Sequence, residues 1–306
     1  MIRNNFDFIG KKKLWLTISL LIIIPGIISL MVQGLNFGID FAGGTKMTVQ
    51  FNQGIYTEDI RDVLSEYNIA ASSTIQTVQA GDNNQFIIRI PELSEQDTTQ
   101  IINSLRYNLG GMELLTRETV GSVVSAELQR SAVIALSIAM LLITIYLAVR
   151  FDLSFGLATL VGIIHNVLIT LSIFSITQIE INIAFAAAIL TVVGYTINDT
   201  IVIFDRIREN LGFKEKITLE ELANKSVHQT LLRTIYTSGT SVVVLLVLLI
   251  FGGEATRYFA LAMIIGFISG AYSSTCLVSP VWLELKKRWF TEDKRSKKKA
   301  NPEPSV

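Results

Sequence analysis

Cysteine, histidine and charge are all scarce in this chain of 306 residues. A single cysteine, Cys276 in an apolar stretch, excludes a disulfide framework and a thiol metal site. Two histidines, His165 and His228, are too few for a multi-histidine metal centre. Asp, Glu, Lys and Arg together make 17% of the chain, against about 25% in an ordinary soluble domain. With no phosphate loop and no nucleophile–base pair in the soluble segment, nothing supports an enzyme, and no metal or cofactor is expected. Acids and bases balance at 26 each, so net charge says nothing about partners. Their distribution does.

What is abundant is apolar. Half of the residues are hydrophobic and the mean hydropathy is +0.48. A spanning helix needs about 20 apolar residues, and six stretches qualify, at 14–32, 131–149, 153–175, 182–204, 234–252 and 258–283. Lys11, Lys12 and Lys13 precede the first, as in a signal peptide. Its apolar run is longer than an h-region and no small-x-small site follows, so an uncleaved anchor is expected. Nineteen of the 26 basic residues fall on one side: four before the first span, Arg150, six in 205–233 and eight in 286–299. The positive-inside bias therefore places both termini in the cytoplasm. Trp15, Tyr146, Trp282, Trp289 and Phe290 lie near span ends, where amphipathic rings favour the headgroup layer. The juxtamembrane run Lys297-Lys298-Lys299 suits anionic membrane lipids rather than nucleic acid.

This divides the chain into a cytoplasmic start (1–13), a first span (14–32), an extracytoplasmic domain (33–130), a five-helix bundle (131–285) with a cytoplasmic loop at about 205–233, and a basic tail (286–306). In the outer segment Met47, Val49 and Phe51 alternate with Lys46, Thr48 and Gln50, the period of a half-buried strand. Thr57 is placed to cap a helix with Glu58 and Asp59 in its first turn and Ile60, Val63, Leu64 and Tyr67 on one face. A short strand near 73–79, the turn cluster Gly81-Asp82-Asn83-Asn84, and a strand with Phe86, Ile88 and Ile90 follow. Ser94 caps a second helix with Ile101, Ile102, Leu105 and Leu109 on its apolar face, Gly110 ends it, and a strand at about 112–120 returns to the membrane. The order β-α-β-β-α-β is ferredoxin-like. Over 33–128 this segment carries 12 acids and five bases, and it is read as a binding or docking domain.

Three segments carry a resemblance. They are Gly34-Leu-Asn-Phe-Gly-Ile-Asp-Phe-Ala-Gly-Gly-Thr45, Gly194-Tyr-Thr-Ile-Asn-Asp-Thr200 with Val202-Ile-Phe-Asp-Arg-Ile-Arg-Glu-Asn210, and Gln229-Thr-Leu-Leu-Arg-Thr-Ile-Tyr-Thr-Ser-Gly-Thr240. Together with the one-plus-five layout they resemble the signature segments of the SecF family. The resemblance implies a resistance-nodulation-division type of half and a place in the cytoplasmic membrane. It also implies a SecD partner, the SecYEG channel and YajC as neighbours, unfolded exported polypeptides as clients, and use of the proton gradient to help complete export. The start at Met1 and the basic tail lead us to expect SecD as a separate chain. A half-transporter of the same superfamily, exporting a lipid or small molecule, is the alternative. The chain departs from the family pattern at Asn166, where an acid often follows the histidine.

Asp199 sits about five residues, or roughly 8 Å, inside the cytoplasmic end of the fourth stretch. A charge at a helix centre costs on the order of 2.5–3.5 kcal/mol on insertion scales, so this acid is expected to face an interior or a water-filled cavity. Arg233 opens the fifth stretch at similar depth and keeps its charge at any working pH. Asp199 and Arg233 are therefore the expected proton-coupling pair. Asn198, Thr200, Thr237, Ser238 and Thr240 flank them, most as packing positions, with Asn198 and Thr200 placed to bond the carboxylate or a water. Gly194 and Gly239 are expected at close helix contacts. His165 is read as a hydrogen-bonded interior residue, and Asp205 and Arg206 as rim charges fixing the cytoplasmic loop. Asp40, among Gly38, Gly43 and Gly44, is expected to brace the base of the outer domain.

Overall fold

The computed structural model describes residues 6–52, 54–80, 83–213 and 217–288. In chain order, helix α1 (Lys12–Val32) is followed by the one-turn helix α2 (Ile39–Ala42), strand β1 (Gly44–Phe51), α3 (Thr57–Glu66), β2 (Thr74–Ala80), β3 (Asn83–Ile90), α4 (Glu95–Leu109) and β4 (Met112–Val120). Then come α5 (Ser122–Arg150), α6 (Leu153–Thr177), α7 (Ile183–Gly212), α8 (Leu219–Phe251) and α9 (Glu254–Ser273), which runs on through a π-turn at Ser274–Val278. Contacts divide the chain into two units, residues 37–133 and residues 1–36 with 134–306.

The first unit has the expected strand–helix order. Its four strands form an antiparallel sheet in the order β2-β3-β1-β4. Met47 pairs with Ile88 and Val49 with Phe86, so the alternating apolar residues of both central strands share one face. Ile60, Val63 and Leu64 of α3 and Ile101, Ile102 and Leu105 of α4 cover that face, giving one buried cluster. Each such side chain contributes roughly 1.5–3 kcal/mol of burial free energy. Ser94 caps α4, its Oγ accepting from the Asp97 N–H at 3.1 Å, and Gly110 ends it at φ 64°. The start of α3 lies one residue earlier than expected. Tyr56, not Thr57, holds the cap position, because its N–H donates to the Asp59 carboxylate at 2.8 Å.

Arg117 on β4 grips both oxygens of Glu95, at 2.8 and 2.7 Å. Hydrogen bonding and charge from this guanidinium hold the exposed Glu95 carboxyl below its usual value. Its stabilisation is therefore present above the unfolded pKa and is lost as pH falls through the folded one. Glu95→Gln is expected to lower the melting temperature slightly at neutral pH and not at all once wild-type Glu95 is protonated. Paired melting curves across that pH range check this.

The second unit contains the spans. Among the described residues six helices are long and apolar enough to cross a membrane, which makes the chain a multi-pass membrane protein. They differ from the apolar stretches at their ends. Residues 205–233 are not a loop: α7 continues to Gly212 and α8 begins at Leu219, leaving 213–218 as the connector. The apolar run stops, but the amphipathic one does not. Ile203, Phe204 and Ile207 of α7 and Leu222, Ala223 and Val227 of α8 join a buried cluster with Ile9 and Leu283. The Thr218 Oγ1 and Glu221 carboxylate cap each other's N–H groups and start α8. Likewise α5 begins at Ser122, well before the apolar stretch it contains.

Trp282 corrects another expectation. It is fully buried in that same cluster, stacked on Phe155 with ring centroids 5.0 Å apart, rather than set at the headgroup layer. Trp289, Phe290 and Lys297–Lys299 lie outside the described residues.

Candidate functional site

Asp199 lies mid-helix, about 24 Å along α7 from Ile183 and about 20 Å from Gly212. It is buried, with 4% exposure. Ser238 of α8 donates to its Oδ2 at 3.3 Å. Ser238 ends a stripe at four-residue spacing, Ser226, Thr230, Thr234 and Ser238, whose members are all buried. At the other end of the stripe Asn210 of α7 donates to Ser226 at 2.8 Å and to Gln229 at 2.9 Å. The Thr234 and Thr196 hydroxyls have no hydrogen-bond partner among the described residues.

Arg233 does not join Asp199 here. It is exposed, and among the described residues no ion pair links the two. Five residues separate Arg233 from Ser238, which turns the two side chains about 140° apart around α8. Asn198 is exposed. Thr200 is buried and donates to the Thr196 carbonyl at 3.3 Å. Thr237 offers its carbonyl to the Tyr195 hydroxyl at 2.8 Å, and Thr240 donates to the Tyr236 carbonyl at 2.8 Å. None of these four bonds the Asp199 carboxylate. Ser238 does, a role the sequence treated as packing; its four-residue phase with Ser226, Thr230 and Thr234 is the signal that marks it.

The close-packing glycines also differ. A side chain at Gly194 or Gly239 would meet nothing within 4 Å. At Gly26 a Cβ would overlap Ser172, at Gly266 it would overlap Val192, and at Gly270 it would come 2.5 Å from Thr196. These positions hold α1 against α6 and α9 against α7.

His165 is buried in a separate polar group. Its Nε2 lies 2.9 Å from Ser19 Oγ of α1 and its Nδ1 lies 3.2 Å from Asn166 Oδ1. Ser269 of α9 donates to that same Oδ1 at 3.0 Å. Asp205 pairs with Arg208 at 3.1 Å and Arg206 with Glu209 at 2.7 Å. Arg206 Nε also donates to Gln229 at 2.6 Å, so it ties α7 to α8 instead of fixing a loop. Asp40 stands in the one turn of α2, which Gly38 precedes and Gly43 ends at φ 76°. Gly44 follows at φ 117°. Among the described residues no three His, Cys, Asp or Glu side chains gather to hold a metal ion.

Six spans, a ferredoxin-like domain after the first of them and an acid buried mid-helix define a multi-pass membrane protein of uncommon layout. Residues 101–288 match the family described as protein export membrane protein SecD/SecF, C-terminal, and residues 28–55 match the SecD/SecF GG motif. The chain is 38% identical to the protein translocase subunit SecF of Desulfurispirillum indicum, over 98% of this chain and 97% of that one. It is 35% identical to the protein translocase subunit SecDF of Thermus thermophilus, over 94% of this chain and 40% of that protein. The crystal structure of that SecDF, a translocon-associated membrane protein, superposes with a TM-score of 0.84, covering 94% of this chain and 40% of the other. The chain belongs to the SecD/SecF family of protein-export membrane proteins.

Proposed function

We propose that this chain is the SecF-type subunit of the Sec translocase, working with a SecD half to turn the proton gradient into late steps of protein export. The observation that carries the proposal is Asp199, a carboxyl buried mid-span whose described hydrogen bond comes from a neutral hydroxyl. Protonated, it stays with Ser238 and leaves Arg233 apart. Ionised, it draws the permanently charged guanidinium of Arg233. Alternation between the two shifts α7 against α8 and passes the movement to the outer domain, which pulls or holds the emerging chain. Every step is a proton transfer or a change of contact, so no covalent chemistry is needed and the subunit is not an enzyme.

The same geometry supports a second half. Arg233 and Asn198 are exposed on spanning helices, where a charge facing lipid costs on the order of 2.5–3.5 kcal/mol at mid-depth. A SecD half covers them in this proposal, as two halves do in transporters of this kind. The Thermus relative carries 60% more of its own length beyond the part matched here, enough for such a half. SecYEG and YajC are the proposed neighbours, unfolded polypeptides the clients, and the cytoplasmic membrane the location, with both termini inside. Mild-detergent extraction from native membranes is expected to yield the chain together with a second six-helix protein. Crosslinking in intact membranes that finds self-association alone would overturn the SecD assignment.

A further inference from the structure

We propose that the hydroxyl stripe of α8, with Thr234 at its centre, carries the proton of Asp199 through bridging waters to the connector end of α7 and α8. The proposal deepens the proton-coupling reading above and rests on it. Asp199 is buried, and about 20 Å of α7 separate it from Gly212. A carboxyl that alternates between protonated and ionised forms needs a way through that thickness. Apolar side chains neither take nor give a proton, and Ile203, Phe204 and Ile207 of α7 lie buried among apolar neighbours on the way. α8 offers what this stretch of α7 lacks. Ser226, Thr230, Thr234 and Ser238 recur at every fourth residue, so they share one face over roughly 18 Å. At one end Ser238 donates to Asp199 at 3.3 Å. At the other Ser226 accepts from Asn210 at 2.8 Å, and Asn210 also reaches the exposed Gln229 at 2.9 Å.

Small residues on a helix face also serve close packing, a role that needs no hydroxyl. Thr234 separates the two. A Ser or Thr inside a helix commonly gives its proton to the carbonyl one turn back. Ser226 gives its own to Leu222 at 2.8 Å, and Thr230 to Ser226 at 3.1 Å. Thr234 is 2% exposed, yet its hydroxyl bonds nothing among the described residues. A buried polar atom left in this way costs free energy and marks bound water or function. Hydroxyls four residues apart stand roughly 6 Å from each other, too far to bond directly. That is the span of one water making two bonds of about 2.8 Å each. Asp199 gives its proton to the water between Ser238 and Thr234 and is left ionised. Each following water passes one proton on, and the last proton leaves beside Gln229. A hydroxyl both accepts and donates, so Thr234 and Thr230 hold such a chain without changing charge themselves. All four members are buried within this chain, so a second half does not displace them.

The test uses the full chain with its co-purified second half in proteoliposomes, reading proton entry with a trapped pH dye under an imposed potential. The Asp199-dependent flux is the wild-type rate less the rate of Asp199→Asn. Thr234→Val keeps the shape without the hydroxyl, and is expected to lower that flux about tenfold or more. It should not lower the melting temperature, because a methyl replaces an unbonded buried hydroxyl. Thr230→Val should lower the flux as well, whereas Thr234→Ser keeps a hydroxyl and should run close to the wild-type rate. Thr170→Val on α6 is the control, since its buried hydroxyl donates to the Asn166 carbonyl at 2.9 Å, off this face. Full flux in Thr234→Val, or an equal loss in Thr234→Ser, would overturn the proposal and make the stripe a packing seam. A wild type without any Asp199-dependent flux would instead overturn the proton-coupling reading itself, and this path with it.

Discussion

Asp199→Asn is expected to abolish proton-dependent export while leaving the chain folded and assembled. The change preserves shape, and an amide oxygen still accepts the Ser238 hydroxyl that now donates at 3.3 Å. At 4% exposure the site loses no direct ion pair on substitution, because among the described residues none links Arg233 to it. What disappears is the ability to gain and lose charge. A membrane potential supplies about 2.3 kcal/mol per elementary charge for each 100 mV, and forfeiting that much from a rate-limiting step slows it roughly fifty-fold. The measurement is export of a slow-folding secreted protein in cells lacking the native subunit, with and without an uncoupler. The early, ATP-driven stage should remain largely intact. Arg233→Lys should be impaired less severely, since a point charge replaces a planar fork but can still be drawn to the ionised acid. Full, uncoupler-sensitive export by Asp199→Asn would make Asp199 a structural residue and move the proton path elsewhere.

The outer domain was legible in the sequence almost element by element, because its signals are local. Period-two alternation at Met47, Val49 and Phe51 and at Phe86, Ile88 and Ile90 has one solution, a sheet with one covered face. The bundle was legible in number and less so in detail, and the differences share a cause. Hydropathy reports where a helix is apolar, not where it is helical, so the amphipathic extensions of α7 to Gly212 and α8 from Leu219 looked like a loop. Depth along an axis also says nothing of direction around it. Trp282 sits near a span end and still points inward. Arg233 and Asp199 were matched by depth, yet the phase of α8 turns Ser238, not Arg233, to the acid. Gly194 and Gly239 resemble packing positions in composition, whereas Gly26, Gly266 and Gly270 are among those pressed against neighbours. In each case the missing information is azimuth, which a nearly uniform apolar sequence does not encode.

Gly44→Ala is expected to have the largest effect on folding of any single methyl added to this chain's outer domain. Gly43 and Gly44 lie at φ 76° and 117°, the entry from α2 into the central strand β1. Gly43 combines that φ with ψ 169°, a region occupied almost only by glycine, and a side chain there costs about 1–3 kcal/mol. It has room, since an added Cβ would first meet Ser122 and Ser125 at 3.5 Å. Gly44 has strain and no room. Its Cβ would overlap the carbonyl oxygen of Ile90, a backbone atom of β3 that cannot rotate away. Relief requires β1 to move from β3, and β1 is the strand that pairs with both β3 and β4. The cost is thus expected to exceed about 4 kcal/mol, a size reserved for defects of this kind, out of the roughly 5–15 kcal/mol that hold a domain folded. Gly110→Ala is the control: at φ 64° and ψ 129° it carries backbone strain like Gly43, about 1–3 kcal/mol, but a Cβ meets nothing within 4 Å, so no strand has to move. Limited proteolysis of the full chain in detergent reads the difference, with Gly44→Ala cut within residues 37–133 far faster than either Gly43→Ala or Gly110→Ala. The spanning helices should survive all three, because they form the other contact unit. Equal resistance of Gly44→Ala and wild type would mean that the strand tolerates the side chain, and that the paired glycines serve something other than the turn.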